Sequence, residues 1–186
     1  MTVRTSRTHP LRVDAISLGA GELGMTFCPG KHATSLAGDP WERDLETDVD
    51  ALRDWGTAMV VTLIETHEMV HLGVTRLGEV VQSRGIDWRD APIPDGCPPD
   101  APFEADWPEL AAELTKRLTA GERVVVHCRG GLGRAGTVAA MMLMEFGATP
   151  DEAISRVRDA RPGAIETRDQ ERYLRRYAMR SLRGHS

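Results

Sequence analysis

The most constraining feature of the sequence is segment 124–146, where three consecutive valines lead through a glycine-rich turn into an apolar helix. Val124, Val125 and Val126 are apolar and β-branched, which is typical of a parallel strand covered on both faces. Residues 137–146 are apolar on all sides, so this helix is expected at the centre of a fold. Such a unit predicts a sheet with helices packed against it.

Strand and helix patterns alternate along the rest of the chain. Strands are predicted over 11–18, over 58–64 and, more weakly, over 86–93, whereas the glycines and prolines of 19–40 predict a loop. The sequence therefore predicts a single α/β domain over 1–186, with a central, mostly parallel sheet flanked by helices. Residues 1–10 are expected to be a flexible N-terminus.

The helices are identified by their apolar periodicity and their end signals. They are predicted over 41–55, over 69–83, from Asp106 to Gly121, over 137–146, and after Thr149 and Thr167. Asp106 is placed as an N-cap with Pro108 in the first turn, and Thr149 and Thr167 each begin a capping box.

Charge and composition exclude several classes of protein. A chain of 186 residues with a net charge of −5 is unlike a general nucleic-acid-binding protein. It contains no run of about 18 apolar residues, so no membrane span is expected, and the polar N-terminus does not resemble a secretory signal. Three irregularly spaced cysteines form no disulfide framework, which favours a reducing cytoplasm.

The glycine-rich turn carries the chemistry of a phosphate site. Consecutive backbone N–H groups in such a turn converge on one point, and a helix N-terminus adds a positive dipole end. Arg134 can bind two phosphate oxygens with its planar guanidinium. The same field favours a thiolate at Cys128, which would be a nucleophile beside a bound phosphoryl group.

The run from His127 and Cys128 through five residues to Arg134 resembles the signature of cysteine-dependent protein tyrosine and dual-specificity phosphatases. The glycines of the loop make it similar in particular to the cyclin-dependent kinase-associated phosphatase subgroup. The resemblance implies a phosphomonoester substrate such as a phosphoprotein, no metal or other cofactor, and Cys128 as nucleophile. It implies that His127 orients the loop, and that phosphate is bound by Arg129, Gly130, Gly131, Leu132, Gly133 and Arg134.

The family also needs a general acid on a loop near the pocket. Asp95 in the Pro-Asp-Gly turn aligns best with that acid, with Gly96 as a hinge and Asp100 as the second choice. Gln170 either positions the hydrolytic water or serves only the capping box of Thr167. Arg129 either meets acidic substrate at the rim or is simply solvated.

One position departs from the family pattern. Its members usually carry Ser or Thr directly after the loop arginine, where the hydroxyl stabilises the departing thiolate, and this chain has Ala135. Thr137 is expected to face another direction. The departure implies a slow second step, and it leaves open a phosphoprotein-binding pseudophosphatase with little turnover.

Two competing motifs have weaker support. Residues 67–71 spell the H-E-x-x-H pattern of zinc hydrolases, with His67 and His71 as ligands and Glu68 as base. No third ligand follows at the required spacing, so we interpret the match as chance, although a zinc hydrolase stays the third alternative. Two G-x-G-x-x-G strings, at 19–24 and 131–136, lack the surroundings of a dinucleotide site.

Overall fold

A mixed sheet of five strands forms the centre of the computed structural model, which describes residues 3–34 and 38–183, with backbone alone for 179–183. In spatial order the strands are β1 (Asp14–Leu18), β2 (Gly21–Thr26), β7 (Arg123–His127), β5 (Thr57–Thr62) and β6 (Asp87–Asp90). β1 is antiparallel to β2, and the other neighbouring pairs are parallel. A separate ribbon pairs β3 (His32–Ala33) with β4 (Trp41–Glu42).

The helices fall into two groups around this sheet. Those formed by the described residues are α1 (Leu45–Trp55), α2 (Thr66–His71), α3 (Leu77–Ser83), α4 (Ala101–Thr119), α5 (Gly133–Glu145), α6 (Pro150–Ala160) and α7 (Arg168–Arg183). α1 and α3 contact each other and pack on β5 and β6, whereas α4, α5 and α6 pack on β1, β2 and β7. α7 packs against α5 and α6.

Burial in the middle of the sheet confirms the predicted fold class. Val124, Val125 and Val126 are completely buried, so helices cover both faces of β7. Residues 133–143 of α5 are all buried, which confirms the prediction of a central helix. The carboxyl end of β7 is therefore the edge at which a ligand site is expected.

β2 lies within residues 19–40, for which the sequence pattern predicted a loop, so that prediction was wrong for this segment. Gly21 and Gly24 serve close packing here. A Cβ on Gly24 would lie 2.3 Å from Val13 Cγ1, and one on Gly21 would lie 2.1 Å from the carbonyl oxygen of Glu122. The glycines permit contacts that larger residues would prevent.

The start of α4 also differs from the prediction. Asp100, rather than Asp106, is the N-cap, since its Oδ1 accepts a hydrogen bond from Phe103 N at 3.2 Å. Pro108 therefore lies inside the helix. The buried stripe begins earlier than expected, because Phe103 and Trp107 belong to it.

Two other predicted helices have different boundaries. Trp41 belongs to β4, and Asp44 caps α1 by accepting a hydrogen bond from Thr47 N at 2.7 Å. The segment 69–83 is divided between α2 and α3, and Gly73 between them has a φ of 71°. Both capping boxes, in contrast, are confirmed at the starts of α6 and α7.

Residues 3–10, for which a flexible terminus is expected, contact the rest of the chain. Arg4 N donates to Pro40 O at 2.8 Å, and its guanidinium lies 5.2 Å from the centre of the Trp41 ring. Ser6 is buried, and its Oγ accepts a hydrogen bond from Asp44 N at 2.9 Å. These contacts extend the body that begins at β1. None of the helices built from the described residues has the length and apolarity needed to cross a membrane.

Candidate active site

The segment predicted to bind phosphate forms a tight loop between β7 and α5. Gly131 has a φ of 71°, and a Cβ there would lie 2.3 Å from Thr26 O, so only glycine fits. Its N–H points at Cys128 Sγ, 3.2 Å away. Leu132 occupies the N-cap position and Gly133 begins α5, four residues before the predicted start at 137. The helix N-terminus therefore faces the thiol.

The carbonyl groups of the loop are held by side chains from distant parts of the chain. Lys31 Nζ donates to Arg129 O at 3.2 Å. Arg161 donates from Nε to Gly131 O at 2.5 Å and from Nη2 to Gly130 O at 3.0 Å. With its carbonyls engaged by these side chains, the loop can direct its N–H groups toward the thiol, as an anion-binding turn requires.

Arg134 is buried and is held mainly by Glu68. Nη1 and Nη2 donate to the two carboxylate oxygens of Glu68 at 2.7 and 2.8 Å, and Nη1 also donates to Ile93 O at 2.9 Å. Burial raises the pKa of Glu68, but the hydrogen bonds and the charge of Arg134, together with the backbone N–H of Glu65, outweigh it and lower that pKa. Glu68 thus fixes the position of the guanidinium.

Asp95 reaches the same guanidinium from the loop after β6. Its Oδ1 lies 2.9 Å from Arg134 Nη2, and its side chain is 57% exposed. Gly96 beside it has a φ of 71°, and nothing lies within 4 Å of the position that a Cβ would take, so this side of the turn is open. Asp100, the second choice for the acid, is engaged as the cap of α4. The structure thus brings Asp95, not Asp100, to Arg134.

His127 is completely buried beneath the loop. Its Nε2 is 2.8 Å from Thr62 Oγ1, which also accepts a hydrogen bond from Trp88 Nε1 at 2.8 Å. Its Nδ1 lies 3.4 Å from Cys128 O. Burial lowers the pKa of His127 to about 4, so the ring is neutral near pH 7. This geometry fits the role that the resemblance implies, and orientation of the loop by His127 stays a prediction.

Gln170 forms the capping box and also lies in the wall of the cavity, and its suggested role in positioning water stays a prediction. Its Oε1 accepts hydrogen bonds from Glu166 N at 3.0 Å and Thr167 N at 3.1 Å, as a capping box requires. Its Nε2 donates to Cys97 O at 3.3 Å, and the side chain also lines the cavity. The same residue therefore caps α7 and contributes to the wall of the cavity.

The H-E-x-x-H residues do not converge on a common point. Glu68 is engaged with Arg134, and the His67 side chain is 74% exposed. In the part of the chain that the structure describes, no group of three or more His, Cys, Asp or Glu residues could hold a metal ion. Glu68, which this motif offered as a zinc-site base, is instead the partner of the loop arginine.

A cavity of about 400 Å³ lies over the loop. Its walls combine the predicted site with residues that the sequence analysis did not identify. They are Lys31, Ala33, Thr34, Trp41, Asp95, Gly96, Cys128, Arg129, Gly130, Arg134, Glu166 and Gln170. Lys31, Glu68 and Arg161 were missed as site residues, and only Glu68 stood in a recognisable motif.

A thiol, inward-facing amides and a buried guanidinium at the carboxyl edge of this sheet define the class of cysteine-dependent phosphatases. The chain belongs to the tyrosine and dual-specificity phosphatase family, and residues 40–174 match the domain described as "PTP-SAK: Swiss Army Knife protein, DSP-PTPase phosphatase domain". It is thus a phosphoric monoester hydrolase of the protein tyrosine phosphatase type, a family that works through a cysteinyl-phosphate. The resemblance seen in the sequence is confirmed.

Individual relatives agree with this assignment. The chain is 33% identical over 157 residues to mouse cyclin-dependent kinase inhibitor 3, covering 83% of this chain and 71% of the relative. It is 34% identical over 140 residues to human protein tyrosine phosphatase type IVA 3, covering 75% of each. A crystal structure of kinase associated phosphatase with its catalytic-site cysteine replaced by serine matches with a TM-score of 0.82, 28% identity and coverage of 93% and 97%.

Proposed function

We propose that this protein dephosphorylates phosphoproteins at Tyr, or at both Tyr and Ser/Thr, with Cys128 as nucleophile, Arg134 and the loop amides as phosphate ligands, and Asp95 as general acid. The observation that carries the proposal is the common cavity lined by Cys128, Arg134 and Asp95. Its substrate class is supported by relatives whose names identify them as a kinase inhibitor and a protein tyrosine phosphatase.

In the first step the Cys128 thiolate attacks phosphorus, and the bond between phosphorus and the ester oxygen breaks. Asp95 gives its proton to the leaving oxygen. In the second step Asp95 takes a proton from water, the water oxygen attacks phosphorus, and sulfur leaves as a thiolate with inorganic phosphate as product. The equatorial oxygens stay on the loop N–H groups and Arg134 throughout.

Before substrate binds, Asp95 is paired with Arg134, and this pair defines the resting state of the proposed cycle. Nη2 of Arg134 donates to Glu68 and is paired with Asp95, whereas Nε has no hydrogen-bond partner among the described residues. A phosphate that binds Nε and Nη2 therefore displaces Asp95 from the guanidinium. The freed carboxylate then takes up a proton from solvent, and the resulting carboxylic acid protonates the leaving oxygen.

Ala135 supports a second candidate, a phosphoprotein-binding pseudophosphatase. It supplies no hydroxyl to the departing sulfur, and the Thr137 hydroxyl is bound to Gly133 O at 2.7 Å. Formation of the intermediate would then be normal and its breakdown slow. Phenol release with substrate in excess separates the candidates, because a pseudophosphatase stops after about one equivalent of phenol per enzyme, whereas a phosphatase continues to turn over.

The proposal is tested with an aryl phosphate on purified protein. Cys128→Ser should abolish turnover and keep phosphate-ester binding, since the amides and Arg134 remain. Arg134→Lys should weaken both binding and turnover, because an ammonium cannot make the two-point contact. Substantial turnover by Cys128→Ser would refute the covalent mechanism, and loss of activity on adding a chelator would favour the zinc alternative.

We further propose that the whole chain works as one catalytic domain in the cytoplasm. Support for one domain comes from the N-terminal contacts of Arg4 and Ser6 with residues inside the matched region. Support for the compartment comes from Cys28, Cys97 and Cys128, which are all unpaired. Fractionation of cells that express a tagged full chain tests the location.

A further inference from the structure

We infer that Lys31 and Arg129 form a second anion-binding subsite beside the phosphate loop, which selects phosphopeptides carrying an acidic residue next to the phosphorylated one. The inference rests on the proposed function and adds a substrate preference to it. It is carried by the position of Lys31, the pairing of the charges around it, and the asymmetry of the cavity.

Lys31 is a buried cation in the wall of the active-site cavity. The residue is only 8% exposed, and its Nζ lies 4.6 Å from the centre of the Trp41 ring and 4.9 Å from that of Phe27. One N–H is used by the carbonyl oxygen of Arg129, at 3.2 Å. The two aromatic faces and this carbonyl hold the ammonium beside the loop.

The other buried cations of this region already have carboxylate partners. Arg134 is paired with Glu68 and Asp95, and Arg43 is paired with Asp48 at 2.7 Å. Lys31, in contrast, has no carboxylate partner among the described residues. Burial of a charge is costly unless it is paired, so an anion supplied from outside fits this place.

Arg129 supplies a second unpaired cation next to Lys31. Its side chain is exposed at the cavity mouth and forms no ion pair with any residue the structure describes. Burial and then the neighbouring Arg43 and Arg129 cations lower the pKa of Lys31 to about 8, although Cys28 acts in the opposite direction. The repulsion between neighbouring cations is relieved when an anion binds between them.

The cavity is electrically asymmetric. Lys31 follows β2 and Asp95 follows β6, and these strands lie on opposite sides of β7 in the sheet. The other carboxylate in the wall, Glu166, stands over the far end of the loop, where a Cβ on Gly133 would lie 2.6 Å from its Oε2. A second negative group on a bound substrate is therefore attracted to the side of Lys31.

A peptide suits this subsite better than a membrane lipid. The chain carries a net charge of −5, so an anionic bilayer repels it as a whole. A short phosphopeptide carries only a few negative charges, so it is repelled less than a bilayer and can enter the cavity as a single molecule. The acidic group is a carboxylate or a second phosphate one residue away from the scissile phosphate.

The first experiment compares kcat/KM for matched phosphotyrosine peptides with Asp or Asn on either side of the phosphotyrosine. Wild-type protein should prefer an acidic peptide by about tenfold, as one charge-assisted hydrogen bond predicts. Lys31→Gln and Arg129→Gln should each reduce that ratio towards one. Lys116→Gln, which changes a surface lysine on α4, should leave the ratio unchanged and serves as the matched control.

The second experiment follows the ratio from pH 6.5 to about 9.5. The preference should be full well below the Lys31 pKa of about 8 and should fade above it, because the ammonium loses its proton. Lys31→Arg should keep the preference at high pH. The groups that face Lys31 are Arg43, Arg129, Cys28 and Cys128. Burial raises the pKa of Cys28 to about 12, and a change at the nucleophile Cys128 enters both peptides of a pair and cancels in their ratio.

The outcomes separate the inference from the proposed function. If wild-type protein fails to hydrolyse an aryl phosphate, the proposed function is wrong. If it hydrolyses the aryl phosphate but shows a peptide ratio within twofold of one, or keeps a tenfold ratio in Lys31→Gln, only the subsite is wrong. Faster Lys31-dependent hydrolysis of a phosphoinositide in vesicles than of every peptide would also overturn it. Lys31→Arg keeps the test decisive if Lys31→Gln does not fold.

Discussion

Glu68→Gln removes one charge from the buried pair that positions the loop arginine and changes the side-chain volume little. The wild-type carboxylate accepts two hydrogen bonds from Arg134, and the two side chains are 9% and 2% exposed. Loss of one partner from a buried pair costs about 3–5 kcal/mol. Because the Gln oxygen still accepts one hydrogen bond, we expect a loss of about 3 kcal/mol in the free energy of unfolding.

The same substitution should reduce kcat by about tenfold to a hundredfold, since a small displacement of a positioning group is enough for such a loss. Urea unfolding and aryl phosphate kinetics measure the two effects. The difference in the free energy of unfolding between wild type and Glu68→Gln should become smaller at acid pH. The folded-state pKa of Glu68 is lowered, so its contribution is complete above its unfolded pKa of about 4.3 and is lost as the pH falls through the folded value.

Glu79→Gln is the matched control, because it removes one charge from the exposed pair of Glu79 and Arg76, whose side chains are 69% and 64% exposed. Neither stability nor kcat should change measurably there. If Glu68→Gln unfolds at the wild-type urea concentration and keeps kcat within twofold, Glu68 does not position Arg134 as described.

Three further changes test other parts of the site. Asp95→Asn should slow peptide phosphates far more than an activated aryl phosphate, since only a poor leaving group needs the proton; the same dependence in Asp100→Asn alone would transfer the role to that residue. Ala135→Ser should raise the steady-state rate about tenfold or more through one hydrogen bond to the departing sulfur, and should leave the initial burst of phenol unchanged; absence of a burst in wild type together with no gain would contradict it. Gly131→Ala should eliminate phosphate binding, because its Cβ would lie 2.3 Å from a backbone oxygen; normal binding measured by calorimetry would mean that the loop can adopt another conformation.

The sequence predicted those parts of the site that are close together in the chain. Cys128, the glycines and Arg134 lie within one turn and the start of one helix, so local physics was enough to associate them. The fold class was predicted in a similar way, from the consecutive valines of β7 and from the apolar residues on all sides of α5. Asp95 came from the family resemblance, and its role remains a prediction.

The parts that the sequence did not predict depend on contacts between distant segments. Glu68 is 66 residues from Arg134, and Lys31 is 98 residues from Arg129. No local pattern connects such pairs, and the H-E-x-x-H string around Glu68 pointed to a different chemistry. Gly21 and Gly24 were misinterpreted for a related reason, because a glycine that permits close packing looks like a glycine in a turn.

Arg161, which holds the carbonyls of Gly130 and Gly131, is synthesised later than the loop that it holds. Arg161 comes 30 residues after Gly131, and it is also paired with Asp14, 147 residues earlier. During translation Cys128 therefore leaves the ribosome well before the side chain that holds the carbonyls of its loop. A nascent chain that ends between these points has the nucleophile but lacks the side chain that holds the loop carbonyls, so we expect full phosphatase activity only after Arg161 has reached the loop.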